Sequence, residues 1–246
     1  MTRTPPSIQR AVPRAKGYLS SRLALANSEL DERRIERDIE LNIAPHLPGN
    51  REAQILEIGF GLGSFLDFVA AAGYRRYEGV DVDPECFELV SQRHPVQLVE
   101  SASNYLTGKE QFYDAIVMRN VIAHLGRHQA VELTSRCRRA LSVGGIFVLQ
   151  TFNAALASGS YTLANDLTHR VAYTEHSLRQ LLLLGGFDVI SVRPVRPAMG
   201  RLRGRLFALL RAVYCHGVRA RYAVERGLGG NPTIYSKELI AVATKS

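Results

Sequence analysis

The sequence predicts an α/β fold: a mostly parallel sheet of seven strands with helices covering both faces. Three observations lead there. Seven short apolar runs recur along the chain, and helical patterns and Gly/Pro/Asn turns separate most of them. A glycine-rich turn sits directly between the first run and the helix behind it. Strands that alternate with helices pair in parallel, and such a sheet needs cover on both sides.

Residues 1 to about 17 carry charge and proline and read as a loosely docked tail. Ser28 is placed to cap a helix from Glu29 to Ile43, with acids early and Ile35, Ile39, Leu41 and Ile43 as its apolar stripe. Pro45, Pro48 and Gly49-Asn50 end it. Gln54 to Ile58 reads as a buried first strand, and Ser64 to Ala72 as a helix stopped by Gly73. Tyr77 to Val82 is the second strand, and Pro84 opens the next helix at its first turn. Val96 to Val99 and Tyr113 to Met118 are the third and fourth strands, and Ala130 to Leu141 is helical. Gly144-Gly145 turns the chain into a fifth strand, Ile146 to Gln150. Thr174 caps a helix that reaches Leu184 before Gly185-Gly186, and Phe187 to Val192 and Glu238 to Ala243 are the last strands. The expected organisation is an N-terminal tail and helical cap over 1–50, a core over 51–195, a basic helical insertion over 196–236 and the last core strand over 237–246.

The 246 residues suffice for a sizeable core, and composition is that of an ordinary globular protein. Cys86, Cys137 and Cys215 stand far apart without a Cys-x-x-Cys pair, so neither a disulfide framework nor a metal site is expected. No apolar run is long enough to span a membrane, and Met1-Thr-Arg-Thr-Pro-Pro6 lacks the apolar stretch of a secretory signal. The expected location is the cytoplasm, with a peripheral place on the inner face of the membrane as the alternative. The net charge of +8 is concentrated: nine arginines and one acid, Glu225, lie between Arg193 and Arg226 and account for all of it.

Glycines between a strand and a helix let a ligand approach backbone N–H groups closely. Here they are Gly59, Gly61 and Gly63, in the run Glu57-Ile-Gly-Phe-Gly-Leu-Gly63. Two details separate S-adenosylmethionine (SAM) from a dinucleotide. Ser64 stands where a dinucleotide fold wants glycine or alanine. Glu57, at the strand end, would repel a pyrophosphate but suits a cationic sulfonium with its ammonium group. Asp81 falls at the end of the second strand, where related folds hold ribose hydroxyls, while Asp83 precedes Pro84 and reads as a helix cap.

On these residues the sequence resembles the class I SAM-dependent methyltransferases, with the bacterial polysaccharide-biosynthesis branch the nearest in pattern. Besides the glycine run, the resemblance rests on Gly79-Val-Asp-Val-Asp-Pro84, on Ser101-Ala102, on Tyr113 to Leu125 and on Leu141-Ser-Val-Gly-Gly145. It rests further on Asn165 to Leu182, which is similar to an Asp-x-Thr-His … Ser-Leu-Arg-x-Leu-Leu pattern. The resemblance implies a Rossmann-like fold with an antiparallel last strand. It implies SAM as cofactor, held by Glu57, Gly59, Gly61, Gly63, Asp81, Val82, Ser101, Ala102, Arg119 and Asn120. Phe60, Ser101 and Ala123 depart from the residues common in the family, which have cysteine, aspartate and glutamate there. The branch implies a sugar hydroxyl or glycan-linked group as acceptor.

A hydroxyl acceptor needs a place for its proton, and His, Asp or Glu serves as base. His169, His124 and Asp166 are the catalytic candidates: Asp166 and His169 are three residues apart, and His124 follows the fourth strand by one turn beyond Asn120. The remaining loop candidates are Asn153 and Tyr161. In the basic insertion, Leu202, Leu206, Leu209, Leu210 and Val213 form a helical stripe beside arginines. The stripe fits a cap over the acceptor pocket or a subunit interface. The arginines of Arg201 to Arg221 fit an anionic membrane or a lipid-linked substrate. No nucleic-acid motif accompanies them. Other readings are a methyltransferase for another small metabolite or lipid, and a SAM-binding protein without turnover.

Overall fold

The computed structural model describes residues 28–156, 158–197, 201–227 and 229–246, and the expected tail lies outside them. The seven strands are β1 (Gln54–Ile58), β2 (Arg76–Asp81), β3 (Val96–Leu98), β4 (Tyr113–Arg119), β5 (Leu141–Phe152), β6 (Val189–Pro194) and β7 (Glu238–Thr244). The helices are α1 (Ser28–Asn42), α2 (Ser64–Ala71), α3 (Pro84–Val90), α4 (Ala102–Tyr105), α5 (Arg127–Ala140), α6 (Gly159–Ala164), α7 (Glu175–Leu184) and α8 (Arg201–Arg226). They build one sheet in the order β3-β2-β1-β4-β5-β7-β6. β3, β2, β1, β4 and β5 pair in parallel. β7 runs antiparallel to both β5 and β6.

Each face of the sheet buries its own core. Ile39 of α1 and Ile43 just after it, with Phe65, Leu66 and Val69 of α2, pack on Ile55, Val117, Val148 and Ile240. On the other face Leu133 and Cys137 of α5 and Leu178 and Leu182 of α7 pack on Leu56, Ile116, Phe147 and Ala241. The strand residues alternate between faces as a pleat requires. Their near-continuous apolar character follows from cover on both sides.

Several boundaries differ from expectation for local reasons. β5 begins at Leu141, because Leu141 already pairs with Tyr113 before the register slips across 142–145 and resumes at Ile146. β6 starts two residues late. Phe187 folds back as its N–H bonds the Leu182 carbonyl, and its ring stacks on Phe147 at 5.5 Å. The short helices α4 and α6 lack the periodicity that would have announced them. No helix among the described residues is long and apolar enough to cross a membrane.

The strand order reverses between β1 and β4, since β1 leads on one side to β2 and on the other to β4. In an open parallel sheet that switch point leaves a crevice at the carboxyl ends of the strands, where ligands bind. Residues 57–63, 81–83 and 119–124 all lie at that edge.

Candidate functional site

The crevice is built from the ends of three strands. Glu57 is buried in β1, and its Oε2 has no hydrogen-bond partner. Burial raises its pKa well above the ordinary value, against the pull of nearby Arg119, with Asp81 and Asp67 raising it further. At the end of β4, Asn120 takes a positive φ of 56°, and its Oδ1 is also buried without a partner. A non-glycine residue in that conformation costs about 1–2 kcal/mol and marks a site held by its surroundings. Two orphaned acceptors at adjacent strand ends suit an ammonium group, which brings three N–H donors.

The glycines divide the work between packing and space. Gly59 has φ +76°, and a Cβ there would overlap the Val121 side chain. Gly63 has φ +83°, and a Cβ would press Val90 at 3.0 Å. At Gly61, φ +53°, a Cβ would meet nothing within 4 Å. Gly61 thus leaves open space at the strand-to-helix turn.

Asp81 holds this loop in shape. Its Oδ2 accepts from the Gly61 N–H at 3.0 Å, and its Oδ1 from the N–H groups of Val82 at 2.7 Å and Asp83 at 3.0 Å. It therefore ties the glycine turn of β1 to the end of β2. Asp83 accepts from the Glu85 N–H at 2.9 Å and caps α3, with Pro84 at the first helical position. Val82 is half-exposed at the rim. Ser101 precedes α4 without a capping side-chain bond, and Ala102 opens that helix.

Arg119 is held by a polar network that sequence reading missed. Its Nε donates to Gln150 Oε1 at 3.3 Å, and its guanidinium lies 3.5 Å from Asp38 on α1. Gln150 in turn donates to Asp38 and to Glu238 at the start of β7. Burial raises the pKa of Glu238, opposed by the Gln150 hydrogen bond. The network fastens α1 to the carboxyl edge of the sheet. Its one sequence signal is Gln150, a polar residue ending an apolar strand.

The catalytic candidates come together. The N–H groups of Arg170 and Val171 bond the Ala123 carbonyl at 2.8 and 3.1 Å, which pins the loop before α7 onto the turn after β4. His124 and His169 then lie with ring centroids 4.9 Å apart, and Phe152 packs on His169 at 4.8 Å. The Thr168 hydroxyl donates to Asp166 Oδ1 at 2.6 Å and lies 2.8 Å from His124 Nδ1. With its one proton directed to Asp166, the Thr168 oxygen accepts from Nδ1–H of His124, which makes Nε2 the basic nitrogen. His169 Nδ1 donates to the Thr162 carbonyl at 2.9 Å, and its Nε2 is 4.0 Å from Asp166. Thr168 is the member that sequence reading did not single out. Asn153 is buried and braces the loop after β5, donating to the Ile234 and Ser236 carbonyls and accepting from the Ala155 N–H. Tyr161 is largely exposed.

The chain as a whole is similar to known proteins. A Mycolicibacterium smegmatis protein described as a probable S-adenosylmethionine-dependent methyltransferase is 29% identical over 136 residues, 55% of this chain. The chain spans about half the length of that relative, 52%. Among solved structures, a SAM-dependent methyltransferase from Archaeoglobus fulgidus superposes with a TM-score of 0.66 at 18% identity, covering 93% of this chain and 99% of its own. The phosphoethanolamine N-methyltransferase 2 of Haemonchus contortus, in complex with SAM, superposes with a TM-score of 0.60 at 16% identity, covering 85% of this chain and 52% of its own. These likenesses establish the Rossmann-like methyltransferase fold. The model of a methyltransferase domain matches residues 29–192, which spans the site from α1 to β6, and the chain belongs to that family of SAM-dependent methyltransferase domains.

Proposed function

We propose that the protein transfers the methyl group of SAM to a hydroxyl of a sugar-type acceptor, free or carried on a glycan, nucleotide or lipid. The observation that carries the cofactor half is the buried Glu57 carboxylate oxygen without a partner, beside the open space at Gly61. SAM supplies an activated methyl on a sulfonium, so the protein's part is to position it and to exclude water. In this reading Glu57 and Asn120 take the ammonium group, and the backbone around Gly61 lies along the cofactor. Asp81 serves the ribose while shaping the loop, and Val82, Ser101 and Ala102 flank the adenine. Arg119 offsets the negative charge of the acids around it.

The acceptor half rests on the cluster of His124, Thr168 and Asp166. A hydroxyl is a weak nucleophile until its proton has somewhere to go. His124 receives that proton at Nε2. Asp166, acting through Thr168, orients the ring and steadies the imidazolium that forms. His169, bonded to the Thr162 carbonyl and packed between Phe152 and His124, supports the cluster.

The test is formation of S-adenosylhomocysteine with nucleotide sugars and glycolipids as acceptors. His124→Gln is expected to keep SAM binding and to lose about a hundredfold or more in turnover. Thr168→Val should shift the pH profile of the rate, and Thr168→Ser should restore it. Full turnover in His124→Gln removes the histidine from the reaction, and activity confined to amine acceptors removes the hydroxyl reading.

A further inference from the structure

We infer that the outward face of α8 is a docking surface for an anionic lipid membrane. The helix lies between β6 and β7 and has two different sides. One is half-buried against the body through Arg211, Cys215, Val218 and Tyr222, positions 4, 3 and 4 apart and so on one stripe. Tyr222 reaches the Ala155 carbonyl in the loop after β5, and its ring packs against Tyr235 at 6.2 Å. That side fixes the helix against the loop after β5 and against Tyr235.

The opposite side carries Leu209, Leu210, Val213 and Val224, which are 64%, 60%, 67% and 88% exposed. The helical period puts these four on one arc, about half a turn away from the buried stripe. Leu209, Leu210 and Val213 belong to the apolar stripe of the sequence; the Leu202 and Leu206 side chains lie outside the described residues. The stripe thus faces away from the sheet at these positions. An apolar arc of this kind on a long helix is unusual at a solvent-facing surface.

Charge decides what covers it. The segment from Arg193 to Arg226 holds nine arginines against one acid and carries the whole net charge of the chain. On the arc's edge, three turns from Leu210, is Arg221, which is exposed and pairs with Glu225 at 2.7 Å. A second copy docked through this helix would bring the same excess of arginine against itself, and like charge opposes that contact. An anionic bilayer offers acyl chains to the apolar arc and phosphates to the arginines, the combination by which amphipathic helices lie in an interface. No helix among the described residues crosses a membrane, so the contact is peripheral. The inference is independent of the methyl-transfer reading.

The experiment is flotation of the whole protein with phosphatidylcholine vesicles, with and without phosphatidylglycerol, alongside sedimentation of the protein alone. The expected result is co-flotation only with phosphatidylglycerol, weakened by salt and lost in a Leu209→Asp, Val213→Asp double variant. Arg221→Gln should weaken partitioning by about fivefold. Unchanged SAM binding in the double variant shows that it is folded, because none of these side chains touches the crevice. Absence of flotation, equal flotation with neutral vesicles, or a dimer that the double variant dissolves would each overturn the inference.

Discussion

Glu57 sits in the sheet at a cost, which the SAM ammonium group offsets in the proposed reading. Its carboxyl is buried, and that burial outweighs the attraction of Arg119 and lifts its pKa well above the ordinary 4.5. Above 4.5 the unfolded chain releases this proton before the folded one does, so the native state holds more protons. Stability then falls as pH rises from 4.5 toward the raised value. Glu57→Gln removes that dependence. At neutral pH the SAM-free variant should melt higher than wild type, because Gln carries no acidic proton that the unfolded chain releases more readily than the folded one. Calorimetric melting across pH checks this; a variant less stable than wild type at neutral pH would show that Glu57 is satisfied by the protein itself. At this scale much was legible in the sequence. The glycines, Glu57 and Asp81 announce themselves because their constraints are local to one turn. Thr168 and Gln150 did not, because their meaning comes from partners 44 and 112 residues away, His124 and Asp38.

Helix α3 shows how an element's start separates two nearby acids. Asp83 spends its carboxylate on the Glu85 N–H, while Asp81 spends its own on the glycine loop. Asp83→Ala should cost about 1 kcal/mol of stability, the worth of a helix cap, and leave most SAM affinity in place, whereas Asp81→Ala should remove it. Thermal melts and SAM titration of both variants check the division, and equal losses of affinity would contradict it. Elements with strong periodicity or clear stops were readable: β1, α2, α7 and the cap at Thr174 lie within a residue or so of expectation. The errors fell where tertiary contact overrides the local pattern. Phe187 left the predicted strand to stack on Phe147, and Leu141 joined β5 by pairing with Tyr113 before the glycine turn.

The whole molecule arranges its parts around the carboxyl edge of one sheet. The β1/β4 switch point supplies the crevice, and the network of Asp38, Arg119, Gln150 and Glu238 binds α1 and β7 to it. The loop before α7 brings Thr168 to His124, and α8 meets the body through Tyr222. The alternation of strands and helices made the sheet and its class legible, since parallel pairing and two-sided cover follow from it. The place of α8 was not legible. Its sequence shows an apolar stripe and many arginines, but which side meets the body depends on Tyr222 finding Tyr235 and Ala155. The central claim is that Glu57 and the open turn at Gly61 hold SAM, and titration calorimetry with SAM and with NAD tests it most directly. Wild type should bind SAM and not NAD, and Glu57→Gln should bind SAM roughly ten- to hundredfold more weakly. Binding of NAD, or SAM affinity unchanged in Glu57→Gln, would contradict the account.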